Sequence, residues 1–338
     1  MMVKQTILTG ITTTGTPHLG NYVGAIRPAI EASHAGDVNS FYFLADYHAL
    51  VKNQDPARLR QSSLEVAATW LALGLDTDRS VFYRQSDIPQ IAELNWIISS
   101  VTAKGLMNRA HAYKAMVQEN EASGSRDPDK GVTMALFSYP VLMTADILIF
   151  SAHKVPVGRD QIQHVEMARD IAQRFNHVYG ETFVLPEFVV DDKAAVLAGL
   201  DGRKMSKSYN NTIPLFEPAK KLRKLIMQIK TNSLEPGQPK DPDNDCPLFE
   251  IYKAFAAPEQ TAAFRQQLIE GMSWGDAKQQ LFEYLDAQLE APRVEYGKSI
   301  AHPAHVEAVL QKGAERAREH AAAMIARVRA AVGIQPLG

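Results

Sequence analysis

The chain has 338 residues, 46% of them hydrophobic and 22% charged, with a formal net charge of −2. That length holds about two domains with a sizeable core, and the charge balance excludes a protein that holds nucleic acid by bulk positive charge, leaving only local basic patches for such a partner. A single cysteine, Cys246, excludes an intramolecular disulfide and a cysteine-based zinc site and suits a reducing compartment.

In chain order, residues 5–11 are predicted as a short buried strand. Thr12-Thr13-Thr14-Gly15-Thr16-Pro17-His18-Leu19-Gly20-Asn21-Tyr22 follows, ahead of a helical pattern over 23–33. A strand, a glycine turn and a helix N-terminus make a ready anion or nucleotide site, because free N–H groups and the positive dipole end point outward. The segment holds neither G-x-G-x-x-G nor G-K-[ST], so it is neither a dinucleotide fingerprint nor a P-loop. A plain strand-to-helix connection, with His18 as a cap, is the alternative.

Residues 40–45 are a second strand ending in Asp46-Tyr47-His48, the position at which open parallel sheets bind ligands. Asp55-Pro56 signals a helix with an N-cap and a proline at its first position. Residues 80–84 are a third strand, and Pro89 opens another helix. This alternation predicts an α/β fold with a parallel sheet. Residues 102–118 read as helical and 119–131 as a polar, mobile loop. The apolar stretch 132–150 is interrupted by Ser138, Pro140 and Asp146, so it reads as a buried helix with a functional polar residue, not a membrane span. Residues 154–157 form a strand. Gly158-Arg159-Asp160-Gln161 then leads into an amphipathic helix over 163–179 whose stripe is Val165, Ala168, Ile171, Ala172 and Phe175. Residues 182–185 are expected as the last strand.

The stretch Gly202-Arg203-Lys204-Met205-Ser206-Lys207-Ser208-Tyr209-Asn210-Asn211 has no apolar period and reads as a loop. Two ammonium groups on flexible stems beside hydroxyls form a clamp for a polyphosphate; a solvated surface turn is the plainer alternative. Beyond it the composition becomes basic, then proline-rich, then helical over 248–332. The division expected is a catalytic domain over 1–213, with a helical insertion around 102–150, and a helical domain over 214–338. The N-terminal MMVKQTILTG lacks the apolar core of a signal peptide, so a cytoplasmic location is expected.

Four separated pieces agree with one family. T-P-H-L-G-N at 16–21, Y-P-V-L-M-T-A-D-I-L at 139–148, V-P-V-G-R-D-Q-I-Q-H-V-E-M-A-R-D-I-A-Q-R-F-N at 155–176 and K-M-S-K-S at 204–208 together resemble the bacterial tryptophanyl-tRNA synthetases of class I. The resemblance covers most of 5–211 and is weaker, mainly in helical character, over 212–330. It implies a Rossmann-like parallel-sheet nucleotide-binding domain followed by an all-helical domain that meets the tRNA anticodon. It also implies ATP-dependent activation of L-tryptophan, transfer to tRNA(Trp), Mg²⁺ beside the ATP, and a homodimer. By the same resemblance Thr12, Thr13, Thr14, His18, Gly20 and Asn21 cradle ATP. Gly158, Arg159 and Asp160 approach its ribose, and Val196 lines the adenine pocket. Lys204, Met205, Ser206, Lys207 and Ser208 close on the triphosphate. Lys204, Lys207 and His18 form the catalytic set, Asp146 accepts the indole N–H, and Met143, His48, Val155 and Gln161 complete the amino-acid pocket. No protein-held metal site is expected.

Asp146 carries a physical argument of its own. A carboxylate in an apolar helix is costly without a partner, and that partner is either a nearby arginine or a ligand. An indole N–H is a pure donor; a carboxylate facing it rejects phenylalanine, which would leave the acid buried and unpaired. Apolar, polarizable Met143 suits an indole better than a phenol, where tyrosyl relatives typically carry glutamine. Departures from the family pattern are Thr12–Thr14 in place of Gln-Pro-Ser, His18 where threonine is frequent, Met116 in place of one of two lysines (Lys114 matches the other), and Arg159 where an acid is common. A tyrosine enzyme, another adenylyl-transferring ligase and a non-catalytic tRNA- or nucleotide-binding regulator are the competing readings. Lys312, Arg316, Arg318, Arg327 and Arg329 are offered either to tRNA phosphates or to a solvated helical face.

Overall fold

The computed structural model describes residues 4–34, 38–190, 196–244 and 246–337. The first three residues of the N-terminal segment read above therefore lie outside the described residues. Strand β1 (Thr6–Thr12) leads into helix α1 (Leu19–Asn21), a π-helical turn (Tyr22–Ile26) and α2 (Arg27–Ser33). Strand β2 (Asn39–Ala45) is followed by α3 (Asp46–Ala49) and α4 (Pro56–Ala72), and β3 (Val81–Arg84) by α5 (Pro89–Ser99). Helices α6 (Lys104–Met107), α7 (His111–Ala122) and α8 (Met134–Ile149) precede β4 (Lys154–Pro156), α9 (Ile162–Tyr179) and β5 (Glu187–Val189). Helices α10 (Ala219–Met227), α11 (Pro247–Phe255), α12 (Pro258–Ile269), α13 (Trp274–Ala301) and α14 (Pro303–Val332) complete the chain.

The five strands form one sheet in the order β3-β2-β1-β4-β5, and every paired neighbour is parallel. Residues of β2 and β3 divide between two cores with the strand period of two. Phe41, Phe43, Val81 and Tyr83 face a core shared with α5, α8 and α9, while Tyr42, Leu44 and Phe82 face one shared with Ile26, Val66 and Trp70. Helices therefore cover both faces, and the apolar runs of these strands follow from that. At the start of α4 the Asp55 carboxylate accepts from the N–H groups of Ala57 and Arg58, as the sequence predicts.

Two predicted boundaries need correction. The last strand is β5 at Glu187–Val189, not 182–185. The Asn176 side-chain oxygen accepts from the backbone N–H groups of Thr182 and Phe183, and its amide donates to the Phe183 carbonyl. The polar groups of 182–183 are thus satisfied by a side chain, and Phe183 is free to pack on Phe175. The loop expected over 119–131 begins later, because α7 continues to Ala122.

A third core joins Leu19, Val23, Met205, Ile213 and Leu215 to α10–α13. The last helix behaves differently. Val306 and Leu310 of α14 belong to the core around Trp70, and Ala314, Ala317, Ala321 and Val328 belong to the core under α5 and α8. Helix α14 thus crosses the β3 edge of the sheet and covers it. The five basic residues offered to tRNA phosphates are used for that purpose. Lys312 pairs with Asp78, Arg316 donates to the carbonyls of Thr77 and Ser80, Arg318 to that of Asp87, Arg327 to that of Thr182, and Arg329 pairs with Glu93. They bind the helix to the segments that flank β3, to α5 and to the turn after α9.

Close approach at this seam depends on Gly313. A Cβ there would stand 1.7 Å from the Phe82 carbonyl oxygen, which is backbone and cannot swing away. Gly313→Ala is expected to destabilise the fold by about 2–3 kcal/mol, as overpacking against a rigid partner does. Urea unfolding of the variant beside the parent chain measures this; an unchanged midpoint would mean that the helix is not seated so closely.

Candidate active site

The predicted site residues collect at the carboxyl ends of the strands, around β1, where the sheet order reverses direction. One half of the site joins the two signature segments directly. The Leu19 N–H donates to the Ile213 carbonyl, and the Leu215 N–H donates to the Pro17 carbonyl. The loop after the lysines is thereby laced to the first signature. Lys207 Nζ donates to the Thr14 carbonyl at 2.8 Å. Much of the Lys207 side chain is exposed, but its ammonium end is tucked against this turn. Burial there, with the nearby Arg58 charge and against the pull of Glu65, lowers its pKa to about 8.

His18 caps α1. Its Nδ1 accepts from the Asn21 N–H, and the Asn21 side-chain oxygen accepts from the His18 N–H. The capping reading of this histidine is therefore realised, and Asn21 spends its carbonyl on the cap. Burial and the adjacent Lys207 charge lower the His18 pKa to about 4, so the ring is neutral near pH 7. With Nδ1 accepting, the proton resides on Nε2. The three threonines differ: Thr12 is exposed, Thr14 carries the carbonyl that receives Lys207, and Thr13 is fully buried with no partner for its hydroxyl among the described residues.

The lysine loop is held as a clasp. The Asn211 side chain accepts from the Ser206 N–H and donates to Asp201 and to the Lys204 carbonyl. Lys204, Ser206 and Ser208 stand away from the core, with the Ser206 hydroxyl accepting from the Ser208 N–H. Met205, expected beside ATP, turns its side chain inward. Its side chain is buried in the third core and its N–H is donated to Leu197, so it anchors the loop. Val196 is 64% exposed beside this clasp, and Lys114 is exposed on α7.

The other half of the site is built on α8. Tyr139, Met143 and Asp146 are spaced to share one face of that helix. Asp146 has no exposed surface, and burial pushes its carboxyl pKa up against the opposing effect of its hydrogen bonds. Gln85 Nε2 donates to both carboxylate oxygens at 2.8 and 2.9 Å, and His48 Nε2 lies 2.9 Å from Oδ2. The partner is thus a histidine and an amide rather than the arginine considered from sequence. Gln85 was not singled out there, although it is a polar residue just past β3, the same signal that marks Asp46 and His48 past β2. A carboxylate offers about four acceptor positions, so one remains for a further donor. Met143 is half-buried and packs against the first core, to which the buried Val155 of β4 belongs.

A second polar chain runs beside it. Gln161 donates to Asp160, the Gln161 oxygen receives His164 Nδ1, and His164 Nε2 lies 2.7 Å from the Tyr139 hydroxyl. Burial lowers the His164 pKa to about 4, so this ring too is neutral near pH 7. With Nδ1 donating, Nε2 accepts the Tyr139 proton, and the phenol oxygen keeps its own lone pairs as acceptors. Gln161 thus links His164 to Asp160, which is itself exposed just ahead of α9.

This geometry has close counterparts in known proteins. A family model described as tRNA synthetases class I (W and Y) matches residues 3–290. The chain is 63% identical to the tryptophan–tRNA ligase of Pseudomonas aeruginosa over 98% of this chain and 74% of that protein. It is 60% identical to that of Neisseria meningitidis over 99% of this chain and 100% of that one. Among solved structures, the tryptophanyl-tRNA synthetase of Campylobacter jejuni complexed with ADP and tryptophan superposes with a TM-score of 0.88 at 41% identity, covering 97% of this chain and 100% of that one.

Proposed function

Because the chain belongs to the class I tRNA synthetases of the tryptophan and tyrosine group, we propose that the residues at the carboxyl ends of its strands activate tryptophan and present it to tRNA(Trp). The activity is that of a tryptophan–tRNA ligase, an ATP-dependent enzyme. The tryptophan carboxylate attacks the α-phosphorus of ATP and pyrophosphate leaves. A terminal ribose hydroxyl of tRNA then attacks the acyl carbon and AMP leaves. The carboxylate is already a nucleophile, so the first step needs no general base, and rate comes from position and charge.

In this reading the ATP phosphates lie between the Thr12–Asn21 turn and Lys204–Ser208. Lys207 and Lys204 offset the charge that develops on pyrophosphate, with Mg²⁺ carried in on the triphosphate as part of the substrate. Neutral His18 offers its Nε2–H to a phosphate oxygen. Gly158, Arg159 and Asp160 serve the ribose, and Val196 the base. Asp146 receives the indole N–H beside Met143, His48 and Val155. Gln161, acting through His164, fixes Tyr139, whose oxygen suits the substrate ammonium. The observation that carries this reading is the fully buried Asp146 carboxylate, pinned by His48 and Gln85 with an acceptor position to spare.

We extend the proposal to the assembly. Residues 1–213 form the catalytic unit and 214–338 the helical unit that meets the anticodon, with α14 returning to the catalytic sheet. A homodimer is supported by Trp96, 80% exposed, and Met134, 75% exposed, on the packed pair α5 and α8. Among the described residues no helix is long and apolar enough to cross a membrane, and we place the enzyme in the cytoplasm. ATP–pyrophosphate exchange with each amino acid in turn tests the activity. Exchange with tryptophan is expected; exchange with tyrosine instead, or with no amino acid while ATP still binds, would contradict it.

A further inference from the structure

We propose that Arg58, on the first turn of α4, is a further phosphate-binding residue of the ATP site, acting beside Lys207 on the pyrophosphate end of the nucleotide. The proposal rests on the reading that the Thr12–Asn21 turn and the lysine loop hold the triphosphate.

The two cations flank one corner of the chain. A Cβ placed on Gly15 would lie 3.4 Å from an Arg58 Nη atom, 3.4 Å from Lys207 Cδ and 3.6 Å from Lys207 Nζ. Gly15 has a φ of +90°, which favours glycine, and the missing side chain leaves that corner open. Helix α4 is tied to the same turn, because the Gly15 N–H donates to Ser62 Oγ and the Thr16 hydroxyl donates to Glu65. Arg58 therefore keeps register with the turn that bends around it.

Its contacts within the chain are loose. The guanidinium stands 3.4 Å from Thr16 Oγ1 and 3.6 Å from Glu65 Oε1. Glu65 makes its short contacts elsewhere, at 2.7 Å to Thr16 and 3.0 Å to Gln61. A planar fork of five donors beside an ammonium, with one shared carboxylate, matches the oxygens of a phosphate chain better than it matches any partner in the protein. The groups facing Lys207 are Arg58, Glu65 and His18, and His18 is neutral, so this corner keeps one excess positive charge. Two like charges held together in this way repel each other unless an anion joins them, a common arrangement where a leaving group must be stabilised.

Arg58→Met and Arg58→Lys in the full chain, assayed by tryptophan-dependent ATP–pyrophosphate exchange, test this. The methionine variant is expected to lose about 10- to 100-fold in kcat/KM for ATP, the range of a charged hydrogen bond. Inhibition by AMP, which lacks the β- and γ-phosphates, and the Kd for tryptophan are expected to stay within about twofold. The lysine variant, which keeps the charge but not the fork, should fall between the two. An unchanged kcat/KM for ATP in the methionine variant would overturn the proposal. So would equal losses for ATP and AMP, which would indicate mere bracing of the turn. If the parent chain itself shows no exchange with tryptophan, the underlying site reading falls with the proposal.

Discussion

Lys207→Met is expected to lower the rate of tryptophan-dependent ATP–pyrophosphate exchange by about 10²- to 10³-fold, the cost of removing one preorganised charge from a leaving group. The Kd for tryptophan should not change, because Lys207 is bonded to Thr14 of the glycine turn, while the α8 pocket is built from other elements. In the free protein the ammonium is present below pH 8 and is lost as pH rises through about 8, since burial and Arg58 depress its pKa. The parent kcat/KM for ATP, which reports the free enzyme, should therefore fall on the alkaline side of about pH 8. Equal loss of tryptophan binding and of exchange in the variant would remove Lys207 from its role in the chemistry.

Asp146→Asn should reduce kcat/KM for tryptophan by about 10²- to 10³-fold while leaving ATP binding nearly intact. The substitution keeps the shape of the side chain but replaces one acceptor with a donor. Gln85 and His48 then compete for the single remaining oxygen, and an indole N–H meets an N–H. Unchanged tryptophan kinetics would show that the carboxylate is structural only.

Much of the fold was legible because strands buried on both faces are continuous apolar runs, and because Asp55-Pro56 and Pro89 mark helix starts without ambiguity. The route of α14 was not legible. Its apolar stripe looks the same whether it packs on other helices or on the edge of β3, and its arginines look like a solvated face until the carbonyls of Thr77, Ser80 and Asp87 are seen beneath them. The misplaced last strand has a similar origin, since nothing local indicates that Asn176 will satisfy the backbone of 182–183.

The site was legible where chemistry stands out against its surroundings: a carboxylate in an apolar helix, or two lysines beside a glycine. It was hidden where residues look ordinary in sequence. Arg58 and Glu65 look like ordinary charges of α4 in sequence, yet Glu65 accepts from the Thr16 hydroxyl and Arg58 stands at the open corner beside Gly15. Met205 sits in a polar loop and is still a core residue, because a clasp that must keep its shape needs one apolar anchor. Gln85 is one of three polar residues, Gln85-Ser86-Asp87, that follow β3, and only the fold brings it to Asp146.

The most direct test of the account is exchange measured with tryptophan and with β-(3-benzothienyl)alanine, which has the same bicyclic shape with sulfur in place of the indole N–H. If Asp146 selects that donor, the parent enzyme should prefer tryptophan by at least about 100-fold in kcat/KM, since the analogue leaves a buried carboxylate position unpaired. Equal use of the two substrates would contradict the account, because it would mean that the pocket reads the shape of the indole and not its N–H.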